Sequence, residues 1–245
     1  MLQVCLNGPR TAADSGAVPM SPAALAEAAR QAVAAGADDI HVHPKTPCGR
    51  DSLSPRVVGP VLEAIRAVVD VPVGVTTGAW AEPDPGRRAA RVASWTVLPD
   101  HASVNWHEPG AESVAAALLE RGIGVEAGIW SGSAGAELFA RSVSAPRVLR
   151  VLAEVRDTDA RTAAGTARTL LAALSAAAPA GPRPPVLLHG EDGGAWPVLR
   201  LAGERGLAGR IGIEDTLLLP DGTPGASNAE LVVAARRFGL RPSRT

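Results

Sequence analysis

The stretch SPAALAEAARQAVAAGADDIHVH, residues 21–43, reads as one complete helix-to-strand unit. Ser21 followed by Pro22 is a helix-start signal: a serine hydroxyl caps free amides, and proline fits the first helical turn. Gly36 stops the helical period. The run DDIHVH that follows has the length and residue types of a short buried strand. On a strand, residues two apart share a face, so His41 and His43 aim both imidazoles at one spot. A position that served only the core would take Val or Ile.

The same alternation extends along the whole chain. Strand-type runs are expected at about residues 2–7, 38–43, 71–77, 101–106, 123–129, 148–155, 185–189 and 209–214. Segments of helical period fill the gaps: the one opening at Ser21, a second Ser-Pro start at Ser54 and Pro55, and others near 86–94, 111–121, 133–142, 159–176, 194–205 and 227–237, the last capped by Ser227 or Asn228. Eight β/α alternations in 245 residues fit a single (β/α)8 TIM barrel spanning residues 1–245, with no linker or low-complexity tract. A doubly wound open sheet is the alternative. It is disfavoured because no strand-to-helix turn carries a GxGxxG or GxxxxGK[ST] pattern.

Composition excludes several function classes. Hydrophobic residues make up 46% and charged residues 20%, ample for a core and unlike a disordered chain. A formal net charge of −1 and the lack of a basic block argue against nucleic acid or an anionic membrane surface as partner. Two cysteines, Cys5 and Cys48, are too few for a disulfide framework. The opening MLQVCLNGPR lacks the character of a signal peptide, and no apolar run reaches membrane-span length, so a cytoplasmic protein is expected. Lys45 is the only lysine among 24 Lys+Arg residues, and it sits just after the two histidines.

In a (β/α)8 barrel the chemistry gathers at the C-terminal ends of the strands. Asn7, His41 with His43, Thr76 with Thr77, Asn105, Glu154, His189, and Glu214 with Asp215 all fall at or near such ends, and Glu126 lies within the fifth strand. Isolated cases arise by chance; their recurrence on so many strands marks a common site. Two imidazoles on one strand face, roughly 6–7 Å apart along it, can ligate one ion. A carboxylate from another strand would complete a His2Glu set of the catalytic-zinc kind. Glu214 in RIGIEDTLLL is the candidate, because closure of the barrel brings the last strand near the second. The alternative is a pair of core histidines hydrogen-bonded to neighbours.

Asp215, adjacent to Glu214, is placed to act as general base beside a dication, or else is a turn residue. Arg210 either faces the lumen and pairs with a carboxylate or substrate anion, or is a surface arginine. Thr76-Thr77-Gly78 offers hydroxyls and backbone amides to a carbonyl or anionic oxygen, or is ordinary turn chemistry. Glu126 and Glu154 sit in apolar strands, where an unpaired carboxylate is costly; either they face the mouth or they pair with arginines. His189 fits a place near substrate or a satisfied strand end, and Cys48 reads as a loop cysteine more readily than a rim ligand. Trp80, Trp106, Trp130 and Trp196, just past strands 3, 4, 5 and 7, either wall the mouth or pack.

The frame NGPR…VPMSPAALAEAARQAVAAGADDIHVHPKTPCGR, then VTTG, then GRIGIEDTLLLPDGTPGASNAELV, resembles the β-keto acid cleavage enzymes, represented by the 3-keto-5-aminohexanoate cleavage enzyme. The resemblance implies a zinc-bearing barrel, one Zn2+ per chain, that exchanges an acyl group between a β-keto acid and acetyl-CoA to give acetoacetate and a new acyl-CoA. By motif, His41, His43 and Glu214 match the zinc ligands, Asp215 the general base and Arg210 the arginine that positions substrate. Thr76-Thr77 falls at a hydroxyl residue near the substrate carboxylate, and Glu126 lies close to a family site glutamate. Asn7, Asn105 and Arg10 join the expected substrate-binding residues. Arg10 stands where some members carry a glutamate for an amino substrate, so a neutral or anionic β-keto acid is expected. A homo-oligomer, a tetramer by resemblance, is implied too.

The chain departs from the family pattern in its short loops after strands 3 to 6 and in Pro44-Lys45-Thr46-Pro47-Cys48-Gly49, where R-D-x-x-G is usual. Other chemistries fit the same barrel. A Schiff-base lyase or aldolase would use Lys45 and no metal. A zinc hydrolase would act without CoA. A barrel that merely binds a small acid would need no metal triad.

Overall fold

The computed structural model describes residues 1–177 and 183–240. Eight strands form a closed, all-parallel barrel in sequential order, β1 pairing with β8. They are β1 (Leu2–Cys5), β2 (Asp39–Val42), β3 (Val73–Thr76), β4 (His101–Asn105), β5 (Gly124–Trp130), β6 (Arg150–Val155), β7 (Val186–Gly190) and β8 (Ala208–Ile211). The helices between and after them are α1 (Pro22–Ala34), α2 (Pro55–Arg66), α3 (Pro85–Ala93), α4 (Ala111–Glu120), α5 (Gly135–Ala140), α6 (Ala163–Ala177), α7 (Ala195–Glu204) and α8 (Asn228–Ala235). Closure rules out the open doubly wound sheet. None of the described helices is long and apolar enough to cross a membrane.

Local chemistry accounts for the element boundaries. Ser21 caps α1 by accepting from the Ala24 amide at 3.2 Å, and Ser227 caps α8 through the Glu230 amide at 3.3 Å. Ser54 takes the cap position of α2 without a side-chain bond. Strands β1, β2 and β8 are shorter than their sequence signals. Asn7, His43 and Glu214 therefore lie just beyond strand ends rather than inside strands.

The pleat divides each strand between two environments. Val4, Ile40, Val42, Val73, Val75, Val104 and Val125 are buried against the helical ring, where Leu25, Leu62, Ile65 and Leu118 meet them. Full burial of each such side chain contributes about 1.5–3 kcal/mol. The lumen is different. Gln3, Asp39, His101, Glu126 and Arg150 fill its lower part with polar and charged groups in place of the branched apolar layers usual for this fold. Arg150 donates to Asp39 Oδ2 at 2.7 Å and to Glu126 Oε1 at 2.6 Å. Gln3 Nε2 donates to both carboxylates, at 2.8 and 2.9 Å.

His101 balances this cluster. Its Nε2 lies 3.0 Å from Asp39 Oδ1 and its Nδ1 3.1 Å from Glu126 Oε2. A carboxylate beside each nitrogen favours the charged, doubly protonated ring. Burial opposes that charge, but Glu126 and Asp39 outweigh it and push the His101 pKa up to about 10. Two carboxylates, one guanidinium and one imidazolium then sum to zero inside the barrel. Such a network is costly to break: removing one partner of a buried pair destabilises by about 3–5 kcal/mol.

Candidate active site

The site is assembled above this charged floor, where β1, β2 and the turn after β8 converge. Cys5 and His41 are direct register partners across β1 and β2. Past Cys5, Asn7 clamps the two strands: its Oδ1 accepts from the His43 amide at 2.9 Å and its Nδ2 donates to the His43 carbonyl at 2.9 Å. Past Ile211, the backbone at Gly212 runs so close to the Cys5 carbonyl that a Cβ there would overlap it. This approach carries Glu214 onto the His41 side of the barrel. Gly8 closes over the Glu214 side chain from the β1 loop, with φ of +58° and no room for a Cβ.

His41, His43 and Glu214 come together as the sequence predicts. His43 Nε2 lies 3.5 Å from Glu214 Oε2, and the two imidazole centroids are 5.3 Å apart. The geometry adds a residue that no motif signals: ligand atoms of Cys5, His41 and Glu214 all lie within 4.8 Å of one another. Glu214 Oε2 is buried with no hydrogen-bond partner among the described residues, whereas His41 Nδ1 faces Glu126 Oε2 of the floor at 3.8 Å. Buried polar atoms are rarely left unpaired, and two imidazoles with a carboxylate are a zinc-type donor set. The residues present therefore fit a divalent metal.

Electrostatics sets the protonation of these donors residue by residue. Burial pushes the His41 pKa down and keeps the ring neutral, as a ligand must be. Burial opposes charge on Glu214 as well, but Arg210 and His43 hold its pKa well below the usual carboxylate range. Burial also raises the Cys5 thiol well above its ordinary value. For His43, burial is outweighed by Glu214 and Asp51, which lift its pKa to about 9.

Asp51 was not visible in the sequence as a site residue. It accepts from Lys45 Nζ at 2.5 Å and Trp80 Nε1 at 2.9 Å, and its Oδ2 lies 2.9 Å from His43 Nδ1. Trp80 also stacks on the His43 ring at 5.8 Å. Lys45 Nζ donates to the Gly8 carbonyl at 2.8 Å as well, so the sole lysine is buried and fully engaged in fixing the loop. The only sequence sign of Asp51 would have been its position six residues after that lysine, a loop spacing with no periodicity to flag it.

Asp215 and Arg210 also meet, though not as rim residues. Asp215 is completely buried. Its Oδ1 accepts from Arg210 Nη2 at 2.8 Å and Nε at 3.1 Å, and lies 3.1 Å from His189 Nδ1, while Oδ2 has no partner among the described residues. Arg210 Nη2 reaches Glu214 Oε1 at 3.2 Å too. His189 thus touches Asp215 directly, and its Nε2 stands 3.6 Å from Glu154 Oε2.

Other expected residues take different places. Glu126 is not in the mouth: it belongs to the charged floor, with Oε2 3.8 Å from His41 Nδ1. This matches the arginine-paired alternative: His101 and Arg150 offset its burial, with Gln3 donating to the same carboxylate. Asn7 is committed to the His43 backbone. Thr77 donates to the Ser103 carbonyl at 2.6 Å, whereas Thr76 accepts from the Gly78 amide at 3.2 Å and keeps its hydroxyl hydrogen for another acceptor. Asn105 donates to Glu108 at 2.9 Å. Cys48 is exposed in the loop after β2, hydrogen-bonded with Thr46 at 3.1 Å.

A cavity of about 470 Å3 opens above the set, lined by Trp80, Trp130, Arg10, Glu154, Arg156, Glu191 and Glu214 among others. Arg10 donates to Asp192 at 2.7 Å and to the Glu214 carbonyl at 3.2 Å, and Arg156 lies over the Trp130 ring at 4.3 Å. Trp80 and Trp130 therefore wall the mouth. Trp106, packed on Phe139 at 5.0 Å, and Trp196, donating to the Leu218 carbonyl at 2.8 Å, are buried packing residues.

A closed parallel barrel whose acids, imidazoles and arginine meet at the C-terminal ends of its strands has the layout of a (β/α)8 enzyme. The chain belongs to the beta-keto acid cleavage enzyme family, whose profile matches residues 1–244. No curated protein matches the sequence. Among solved structures, apo ObcA is similar with a TM-score of 0.68 at 16% identity, covering 91% of this chain and 62% of that one. ObcA has also been solved in a ternary complex with a C4-CoA adduct and oxalate, with a TM-score of 0.69 at 16% identity over 91% of this chain and 64% of that one. This chain thus spans less than two thirds of ObcA. Tryptophan synthase from Mycobacterium tuberculosis aligns with a TM-score of 0.56 at 18% identity over 98% and 92% of the two chains. At these identities the likenesses establish the barrel fold alone.

Proposed function

We propose that the protein is a zinc-dependent β-keto acid cleavage enzyme that exchanges an acyl group between a β-keto acid and acetyl-CoA, giving acetoacetate and a new acyl-CoA. The observation that carries this reading is the convergence of His41, His43 and Glu214 beside the Arg210–Asp215 pair, in a chain matching the family over residues 1–244. His41, His43 and Glu214 would hold the metal, which as a Lewis acid supplies polarisation of keto and carboxylate oxygens.

The chain's own residues set the remaining requirements. Asp215 Oδ1 is pinned by Arg210 and His189, so Oδ2 is the oxygen left to take a proton as general base. Arg210 holds Asp215 and Glu214 in one orientation, which keeps base and ligand set in register. Thr76 has a hydroxyl hydrogen for a substrate oxygen. Arg10 and Arg156, paired with Asp192 and Glu191 in this structure, would exchange those carboxylates for an anionic β-keto acid or the phosphates of CoA, with Trp80 and Trp130 walling the cavity. The ternary complex of ObcA with a C4-CoA adduct supports a CoA thioester as co-substrate. Lys45, salt-bridged to Asp51 and bonded to Gly8, has no place in a Schiff-base mechanism.

The test incubates a panel of β-keto acids with acetyl-CoA and follows acetoacetate and acyl-CoA, using metal-depleted protein with and without zinc. Zinc-dependent formation of both products is expected. Turnover without CoA would move the assignment to a hydrolase, and equal turnover without metal would overturn the zinc reading.

A further inference from the structure

The charged floor of the barrel has no part in the proposed reaction, yet it meets the donor set at one residue. His41, Gly74 and His101 are successive register partners across β2, β3 and β4, so they lie at one level of the lumen. Gly74 makes this possible: a Cβ there would overlap the His101 ring. The ring lies across β3 with its Nδ1 3.1 Å from Glu126 Oε2. The other oxygen of Glu126, Oε1, accepts from Arg150 Nε at 2.6 Å and from Gln3 Nε2 at 2.9 Å. Residues of β1, β4 and β6 thus fix one fully buried carboxylate of β5.

Two complementary atoms are left facing each other beneath the metal set. Glu126 Oε2 and His41 Nδ1 are 3.8 Å apart and buried, and neither has a hydrogen-bond partner among the described residues. A hydrogen bond of about 2.7–3.2 Å joins them after a ring adjustment of roughly 1 Å. Buried polar atoms rarely stay unpaired when a partner lies so near.

We propose that Glu126 is a positioning residue for the metal set: its Oε2 accepts the Nδ1 hydrogen of His41 and so presents Nε2 to the ion. The inference rests on the metal reading of this site. A metal-bound imidazole ordinarily gives its other N–H to such an outer acceptor, which fixes both tautomer and ring orientation. His43 has Asp51 beside its Nδ1; His41 takes its carboxylate from the floor. Arg150, Gln3 and His101 act through Glu126, and no fourth protein ligand is added, so one metal position stays open for substrate.

Cadmium NMR tests this directly, because coupling between an NMR-active cadmium isotope and isotope-labelled imidazole nitrogens shows which nitrogen holds the ion. Metal-depleted wild-type protein with labelled histidines is loaded with stoichiometric cadmium. Of the coupled rings, the one in contact with Trp80 is His43, which stacks on that indole, and the other is His41. His41 is expected to couple through Nε2 and to carry an Nδ1 proton protected from solvent exchange. In Glu126→Gln protein the two donors at Oε1 hold the amide oxygen, which turns the amide NH2 toward His41. The Nδ1 proton should then lose its protection, and zinc affinity should fall by about 10–100-fold in chelator competition. Coupling of His41 through Nδ1, or wild-type affinity in the folded variant, would overturn the role of Glu126 while leaving the metal site in place. The first of these is read in the wild-type protein and does not depend on the variant folding. Absence of coupling to any imidazole would overturn both.

Discussion

His43 Nδ1 and Asp51 Oδ2 are 2.9 Å apart, which leaves His43 Nε2 facing Glu214 across 3.5 Å. The carboxylate favours the tautomer with the hydrogen on Nδ1, which leaves Nε2 as the nitrogen that would hold the proposed metal. Lys45 and Trp80 hold Asp51 in turn, so a loop residue governs the direction of a strand-end histidine.

Asp51→Asn should weaken zinc binding by about 10–100-fold, the usual effect of losing such an outer carboxylate. Chelator competition measures it. Binding should also fall as pH drops below about 9, because the His43 proton held by Glu214 and Asp51 competes with the metal. Unchanged affinity in the variant would show that Asp51 does not orient the ligand.

Stability should decline at alkaline pH through His101. Its folded pKa of about 10 exceeds the ordinary value of 6.5, so the folded state binds the extra proton between those values. The contribution is complete below about 6.5 and is lost as pH rises through about 10, with a limiting slope of roughly 1.4 kcal/mol per pH unit. In metal-free protein His43 adds a similar slope up to about 9. Urea denaturation from pH 7 to 10, compared with His101→Gln, isolates the first effect: the variant should be less stable and its profile flatter.

Gly8→Ala should abolish or strongly reduce metal uptake while the barrel still forms. The φ of +58° disfavours any side chain, and the new Cβ would collide with Glu214. Elemental analysis beside far-ultraviolet circular dichroism separates the two outcomes, and a variant retaining full zinc would refute the steric argument.

Asp215→Asn should keep metal and lose turnover. A general base contributes about 10²–10⁴-fold to rate, and asparagine preserves size while removing the proton acceptor. Steady-state kinetics with metal content measured on the same sample checks it. Near-normal kcat would exclude Asp215 as the base.

The order of strands and helices, the barrel and the His41, His43 and Glu214 set were legible in the sequence because periodicity and the H-x-H spacing are local properties of the chain. Ser-Pro starts and the pleat fix which residues share a face, whatever lies opposite. Cys5 and Asp51 carry no sequence signal for the site, and the sequence alone leaves Glu126 between the mouth and an arginine pair. Their roles depend on what meets them across the barrel. Burial raises the cost of an isolated charge so far that each polar side chain is defined by its partner, and those partners are distant in sequence: Glu214 from Cys5, Arg150 from Asp39. Closure of the sheet alone brings them together. The chain's local pattern thus determined a barrel with histidines at its mouth; only the tertiary structure decided which charges form its floor and which donors converge above it.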